Sequence, residues 1–325
     1  MGSVARQARA HGNLRLTIPG DELRAQRSRR EGLLAALIAY ILWGLFPVYF
    51  VIVAAVAPTE ILVHRIIWAA PFGALIIHLR KQWSEVGRAL VSPKMVFWLG
   101  LSALFISVNW LIYIWAVLNE QVLQASLGYY INPLMFVLVS VAFLGERLRR
   151  AQIVSVFLAA IGVAYLTVSG GEFPIIAISL AALFTGYGVI RKQVATGAMP
   201  GLFVETLLLL PLALAWLAWL MLSGEAAFIA AGWSLSALLL LAGPVTVVPL
   251  LLFAIGARQL TLTTIGFMQF IAPTLQFCVG IYFGERLTMP HLICFLCIWT
   301  AVAIFSIDAF YSQSKKPPQA RPAGA

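Results

Sequence analysis

Long apolar stretches recur along this chain, and they decide what it can fold into. They lie at about 33–53, 61–79, 96–118, 122–144, 151–169, 174–190, 201–222, 235–255, 264–283 and 290–310. Each is long enough to cross the ~30 Å hydrocarbon core of a bilayer as a helix. In lipid, only helices and closed barrels satisfy every backbone polar group, and unbroken runs of this length are not barrel strands. The sequence therefore predicts an all-α integral membrane protein with ten transmembrane helices. Composition excludes the soluble alternative. Only 10% of the residues are charged and 62% are hydrophobic, whereas a soluble domain carries roughly 25% charged residues.

The lysines and arginines assign a side to each loop. With the N-terminus inside, seven fall in the N-terminal tail, four over Arg80–Lys94, three over Arg147–Arg150, two at Arg191 and Lys192, one at Arg258 and three in the C-terminal tail. The outside loops hold only Arg286, and Arg65 falls within the second span. This alternation predicts that both termini are cytoplasmic. The net charge of +10 is thus an orientation signal, and no nucleic-acid partner is expected. Residues 1–30 show no sustained apolar pattern and lack the apolar core of a secretory signal. They are expected to form a disordered basic tail drawn to anionic headgroups, and residues 312–325 a short tail of the same kind.

A repeated phrase divides the chain in two. Leu144-Gly145-Glu146-Arg147-Leu148 closes the fourth span and Phe283-Gly284-Glu285-Arg286-Leu287 the ninth. Trp115-Ala116 matches Phe253-Ala254, Ser126 matches Thr264, Gly128-Tyr129 matches Gly266-Phe267, and Pro133 matches Pro273. The halves are 31–170 and 171–311. With five crossings each, they have opposite orientation in the membrane. Inverted repeats of this kind mark secondary transporters, in which two similar bundles rock about a site near the midplane. Glu60 opens the second span and Glu205 the seventh, which pairs them as equivalent gate or proton-coupling groups across the repeat.

Polar residues within the spans are candidates for the substrate pathway. Asn109 lies in the third span, and Gln124, Gly128 and Asn132 recur at one-turn spacing on the fourth, next to Pro133. Gln269, Pro273, Gln276 and Gly280 form a comparable stripe on the ninth. Each proline removes a backbone donor and frees a carbonyl that needs a partner inside the protein or in a wet cavity. Trp110 and Tyr113 flank Asn109, and with Trp43 and Tyr129 they predict a partly aromatic pocket for an amphipathic small molecule. The bland reading of the Asn and Gln residues is bonding between helices, at about 1 kcal/mol or less each. Arg65 is costly inside a membrane, though it is near enough to the outer face to snorkel. Glu60 and His64 lie one turn apart beside it. The bland reading of both glutamates is a position at a helix N-terminus, where the dipole favours an anion. The cysteines Cys278, Cys294 and Cys297 lie in apolar runs and read as small hydrophobes, and no metal or cofactor is expected.

Several phrases resemble a known group. These are Ala39-Tyr40-Ile41-Leu42-Trp43-Gly44, Glu60-Ile61-Leu62-Val63-His64-Arg65, Asn109-Trp110-Leu111 and Ser126-Leu127-Gly128-Tyr129-Tyr130-Ile131-Asn132-Pro133-Leu134. With Gly188-Val189-Ile190-Arg191-Lys192, they make the chain similar to the RarD-type permeases of the EamA family, within the drug/metabolite transporter superfamily. The resemblance covers about 31–312. It implies ten helices in two EamA repeats, a bacterial inner-membrane location, and export of small metabolites, amino acids or drugs. A lipid-carrier flippase of the same superfamily is the alternative. A membrane enzyme is a weaker reading, because no catalytic constellation is present, and without a P-loop an ATP-driven pump is excluded on this chain.

Overall fold

The structure is a computed structural model that describes residues 19–144, 148–171, 173–230, 232–260 and 262–314. Among these residues the only regular elements are helices: α1 (Pro19–Gly44), α2 (Phe46–Ile52), α3 (Pro58–Leu79), α4 (Trp83–Val91), α5 (Pro93–Leu118), α6 (Val122–Leu144), α7 (Arg150–Gly170), α8 (Ile175–Lys192), α9 (Ala198–Ser223), α10 (Trp233–Leu240), α11 (Ala242–Gln259), α12 (Leu262–Met268), α13 (Ile271–Tyr282) and α14 (Met289–Ser314). Nine segments are long and apolar enough to cross a membrane, and a tenth is α1 with α2, bent by 40°. These are the ten expected spans. Phe157, Val168, Leu212 and Leu222 lie exposed on their outer faces, as side chains solvated by lipid do.

Three local features differ from expectation. The tail was expected to reach residue 30, yet α1 starts at Pro19. Its first turns are rich in helix formers, and Arg27 donates to Glu31 one turn on at 3.0 Å. A hydrophobicity criterion starts the helix only where the apolar residues start. Residues 1–18 and 315–325, and with them most of both expected tails, lie outside the described residues, as do Gly145, Glu146 and Arg147. The basic Arg80–Lys94 loop contains α4, which buries Val86 and Ala89 and sets Trp83 edge-on to Phe203 of α9. The two matched prolines also behave differently. The ninth span breaks between α12 and α13, which puts Pro273 in the first turn of α13, where its missing N–H costs nothing. Pro133 sits inside α6, which runs on through it.

The packing follows one rule. Of the two halves, α3 packs on α9, α7 on α14 and α6 on α13, so each of these spans meets its own counterpart. The remaining principal contacts come in exchanged pairs. Helix α1 packs on α11 as α8 packs on α5; α6 packs on α8 as α13 packs on α1; and α3 packs on α11 as α9 packs on α5. Register agrees at side-chain level on the α3–α9 seam. A shift of 140 residues along the sequence carries Val63 to Phe203 and Gly73 to Ala213. Gly73 faces Phe203, and Val63 clusters with Ala213.

The second repeat phrase has a defined task. Glu285 accepts from the backbone N–H groups of Val122 (2.5 Å) and Leu123 (2.7 Å), so it caps α6 from the end of α13. Burial pushes its carboxyl above the ordinary value, against the two amides, which lower it. Gly280, one turn before Gly284, packs on Val122 and Leu123 at the same end of α6. Glu285→Ala strands two amides, and an N-cap of this kind is worth about 0.5–2 kcal/mol. The variant should unfold at lower temperature than the wild type in the same detergent. Glu285→Gln should recover part of the loss, and an unchanged melting temperature for the alanine variant would show the cap to be idle.

Candidate functional site

Arg65 is the centre of the best-defined polar cluster. It is the eighth residue of α3, about 10 Å along the helix from its start. Its side chain does not snorkel: the residue is 2% exposed and faces the bundle. The guanidinium carbon lies 4.5 Å from the ring centre of Trp110, 5.5 Å from Phe50 and 5.6 Å from Phe46. Its Nε donates to Thr246 Oγ1 of α11 at 3.1 Å, while Nη1 is buried with no hydrogen-bond partner. The snorkelling expectation fails because α2, bent back at Leu45, places two phenylalanines across the outward path. Desolvated cation–π contacts contribute about 2 kcal/mol or more each, against several kcal/mol for taking the charge out of water.

The aromatic residues expected to line a pocket lie near this charge, packed against one another. Tyr113 packs edge-on to Phe50 at 6.0 Å and to Tyr129 at 5.6 Å. The Tyr113 hydroxyl is buried and unpartnered, and Tyr129 donates to Asn109 Oδ1 at 3.4 Å. Asn109 donates in turn to the Leu180 carbonyl of α8 at 3.0 Å. Asn109 thus has a structural bond as well as a place beside these rings. Trp43 packs against the same apolar cluster, and its carbonyl accepts from Gln276 at 3.1 Å. Asn132 and Gln276 are buried, each with its side-chain oxygen unpartnered. Pro133 and Pro273 are buried, whereas Gln269 is exposed at the break between α12 and α13. Gly128 is a packing position: a Cβ there would lie 2.7 Å from the Ala177 carbonyl oxygen of α8.

Glu60 and His64 face elsewhere. Both Glu60 oxygens are held by the connection after α9, accepting from Ala227 N–H at 3.0 Å and Phe228 N–H at 2.8 Å. Trp68 donates to His64 Nδ1 at 2.9 Å, which leaves the ring hydrogen on Nε2, 3.9 Å from Glu60. That distance is too long for a hydrogen bond. Glu60 therefore fastens a loop, and its two bonds leave little of it for gating.

Glu205 lies towards the other end of the bundle. It accepts from Ser102 at 2.5 Å and pairs with Arg191 Nε at 3.5 Å, with Tyr187 beside the pair. Its second oxygen is unpartnered. The guanidinium of Arg191 passes directly over Gly201, where any Cβ would collide with it. Glu205 is the eighth residue of α9, just as Arg65 is of α3, and each helix carries a proline six residues on, at Pro211 and Pro71. The shift of 140 residues that superposes the helix seam carries Arg65, not Glu60, onto Glu205. The pairing expected from sequence is corrected accordingly: Glu60 is in the first turn of its helix, and Glu205 is two turns into its own.

Known proteins place this architecture. The profile of the EamA-like transporter family matches residues 30–168. The protein RarD of Salmonella typhi is 44% identical over 291 residues, covering 89% of this chain and 99% of that protein. The chain belongs to the EamA-like transporter family. Another relative, an uncharacterized transporter of Vibrio cholerae, is 44% identical over 284 residues, covering 87% of this chain and 94% of its own. The chloramphenicol-sensitive protein RarD of Pseudomonas aeruginosa is 29% identical over 284 residues. A crystal structure with 19% sequence identity covers 86% of this chain and 99% of its own with a TM-score of 0.56, which shows the same fold.

In this EamA protein the two buried charges have neighbours that sequence reading passed over. Phe46, Phe50 and Thr246 complete the surroundings of Arg65, and Ser102, Tyr187 and Arg191 those of Glu205. One signal was available. Phe46 and Phe50 are one turn apart, as are Tyr187 and Arg191, and a shift of 141 residues superposes the two pairs. A narrow crevice between α3, α9 and α11, lined by Ala69, Gly73, Phe203, Thr206 and Val247, lies on the seam that carries both charges.

Proposed function

We propose that this protein is a secondary transporter that moves small molecules by alternating access. The observation that carries the reading is the exchange of helix contacts between the halves. A bundle built this way has two conformations of similar energy, related by swapping the roles of its halves. The halves are inverted repeats with both termini cytoplasmic, and the membrane is the bacterial inner membrane. The loop charges support that topology. Export of amphipathic metabolites, amino acids or drugs is supported by the aromatic cluster at Trp110, Tyr113 and Tyr129 and by the name of the Pseudomonas relative, a chloramphenicol-sensitive protein. The closed pair Arg191–Glu205 is one gate, and protons couple to transport through Glu205.

Purified protein in liposomes tests this. A panel of amino acids, chloramphenicol and small aromatic carboxylates, with and without a proton gradient, should reveal saturable flux that Asn132→Ala lowers by about tenfold. Glu205→Gln should remove the gradient dependence while counterflow persists. Absence of saturable flux for every cargo, from protein that melts cooperatively, would overturn the reading.

A further inference from the structure

Among the described residues, no carboxylate lies within ion-pair distance of Arg65. Its polar partner is the Thr246 hydroxyl, and its other neighbours are the rings of Trp110, Phe46 and Phe50. The corresponding position on the other half, Glu205, has its own counter-ion in Arg191. One end of the seam is neutralised by the protein and the other is not. A buried cation without an anion is costly, and an anionic ligand would offset that cost beyond what the three rings supply. Two buried donors here have no hydrogen-bond partner: Arg65 Nη1 and the Tyr113 hydroxyl. Tyr113 is 3% exposed and packs edge-on to the Phe50 ring that also lies against the Arg65 guanidinium.

We propose that Arg65 and Tyr113 bind the carboxylate of the transported substrate, and that this substrate is a small monocarboxylate with an apolar or aromatic body. Resting on the transport reading, the proposal names the substrate class. A planar guanidinium with one nitrogen committed offers its remaining edge to a carboxylate, the geometry in which arginine binds most strongly. One positive charge balances one negative charge. A phosphate dianion would bring an unmatched charge into a desolvated site. An amino acid zwitterion would set its ammonium beside the guanidinium, and the Glu60 carboxylate is already held by Ala227 and Phe228. The body of the ligand meets Trp110, Tyr113 and Tyr129, which give it aromatic walls.

The test separates binding from transport. Wild-type protein in nanodiscs is titrated with radiolabelled phenylacetate and competed with benzoate, phenylalanine, phenylethylamine, methyl phenylacetate and inorganic phosphate. Saturable binding is expected, displaced by benzoate, at least tenfold less sensitive to phenylalanine and phosphate, and insensitive to the amine and the ester. Arg65→Gln should weaken phenylacetate binding at least tenfold, Arg65→Lys should weaken it less, and Tyr113→Phe should cost several-fold. If Arg65→Gln does not fold, the wild-type competition series decides alone. Absence of saturable phenylacetate binding, equal competition by the ester, or unchanged binding by folded Arg65→Gln would overturn the assignment. Flux of another cargo without carboxylate binding would leave transport standing and remove this site. Carboxylate binding without flux would leave the site and remove transport.

Discussion

Glu205→Ala is expected to destabilise the folded protein by about 3–5 kcal/mol, the cost of leaving one member of a buried ion pair alone. The alanine strands the Arg191 guanidinium, which reaches Glu205 at 3.5 Å, and leaves the Ser102 hydroxyl only the Leu99 carbonyl as acceptor. It leaves Arg191 over Gly201 with its Nη1 already unpartnered. Thermal unfolding in detergent, followed by tryptophan fluorescence, measures the loss. Arg191→Met combined with Glu205→Met removes both charges and should recover much of the stability, because replacing a buried pair with apolar side chains is often neutral. A single alanine variant as stable as the wild type would mean the pair is open in solution.

Gly128→Val is expected to cost about 1–3 kcal/mol or more and to lower any measured flux at least tenfold. The first Cβ alone would lie 2.7 Å from the Ala177 carbonyl oxygen and 3.1 Å from its Cα, so backbone rather than a flexible side chain must give way. Moving α6 away from α8 pulls Tyr129 of α6 from Asn109 of α5 and breaks the hydrogen bond that ties these two helices together. Gly128→Ala should show the same effects at smaller size. A valine variant with wild-type melting and wild-type flux would show that α6 and α8 are free to part at this point.

The ten spans were legible because lipid leaves so few options: apolar length alone locates a crossing helix. The proximity of Asn109, Tyr113 and Tyr129 was legible through their spacing along the third and fourth spans. The partners of the charged groups were not. Sequence places Glu60 on a helix end, but its bonds go to amides of residues 227 and 228, and nothing local announces a contact at that separation. Arg65 could be placed by depth, yet whether it turns outward depends on α2, and α2 exists because the first span breaks at Leu45. Nothing in the pattern of that span singles out Phe46 or Phe50 from its other apolar residues. The equivalence of Arg65 with Glu205 was hidden by their opposite charges. It emerges from helix starts and from the Pro71–Pro211 register.

The central claim, reciprocal opening of the two ends, is tested most directly by spin-label distances in liposomes. One pair, at Glu120 and Glu225, reports the end where α5 and α9 finish; the other, at Ser84 and Arg258, reports the end where α3 and α11 finish. All four positions are exposed. The account predicts two populations, in which one distance lengthens whenever the other shortens, with their ratio shifted by transported ligand. Distances that lengthen together, or a single unchanging population at both ends across ligands and gradients, would contradict it.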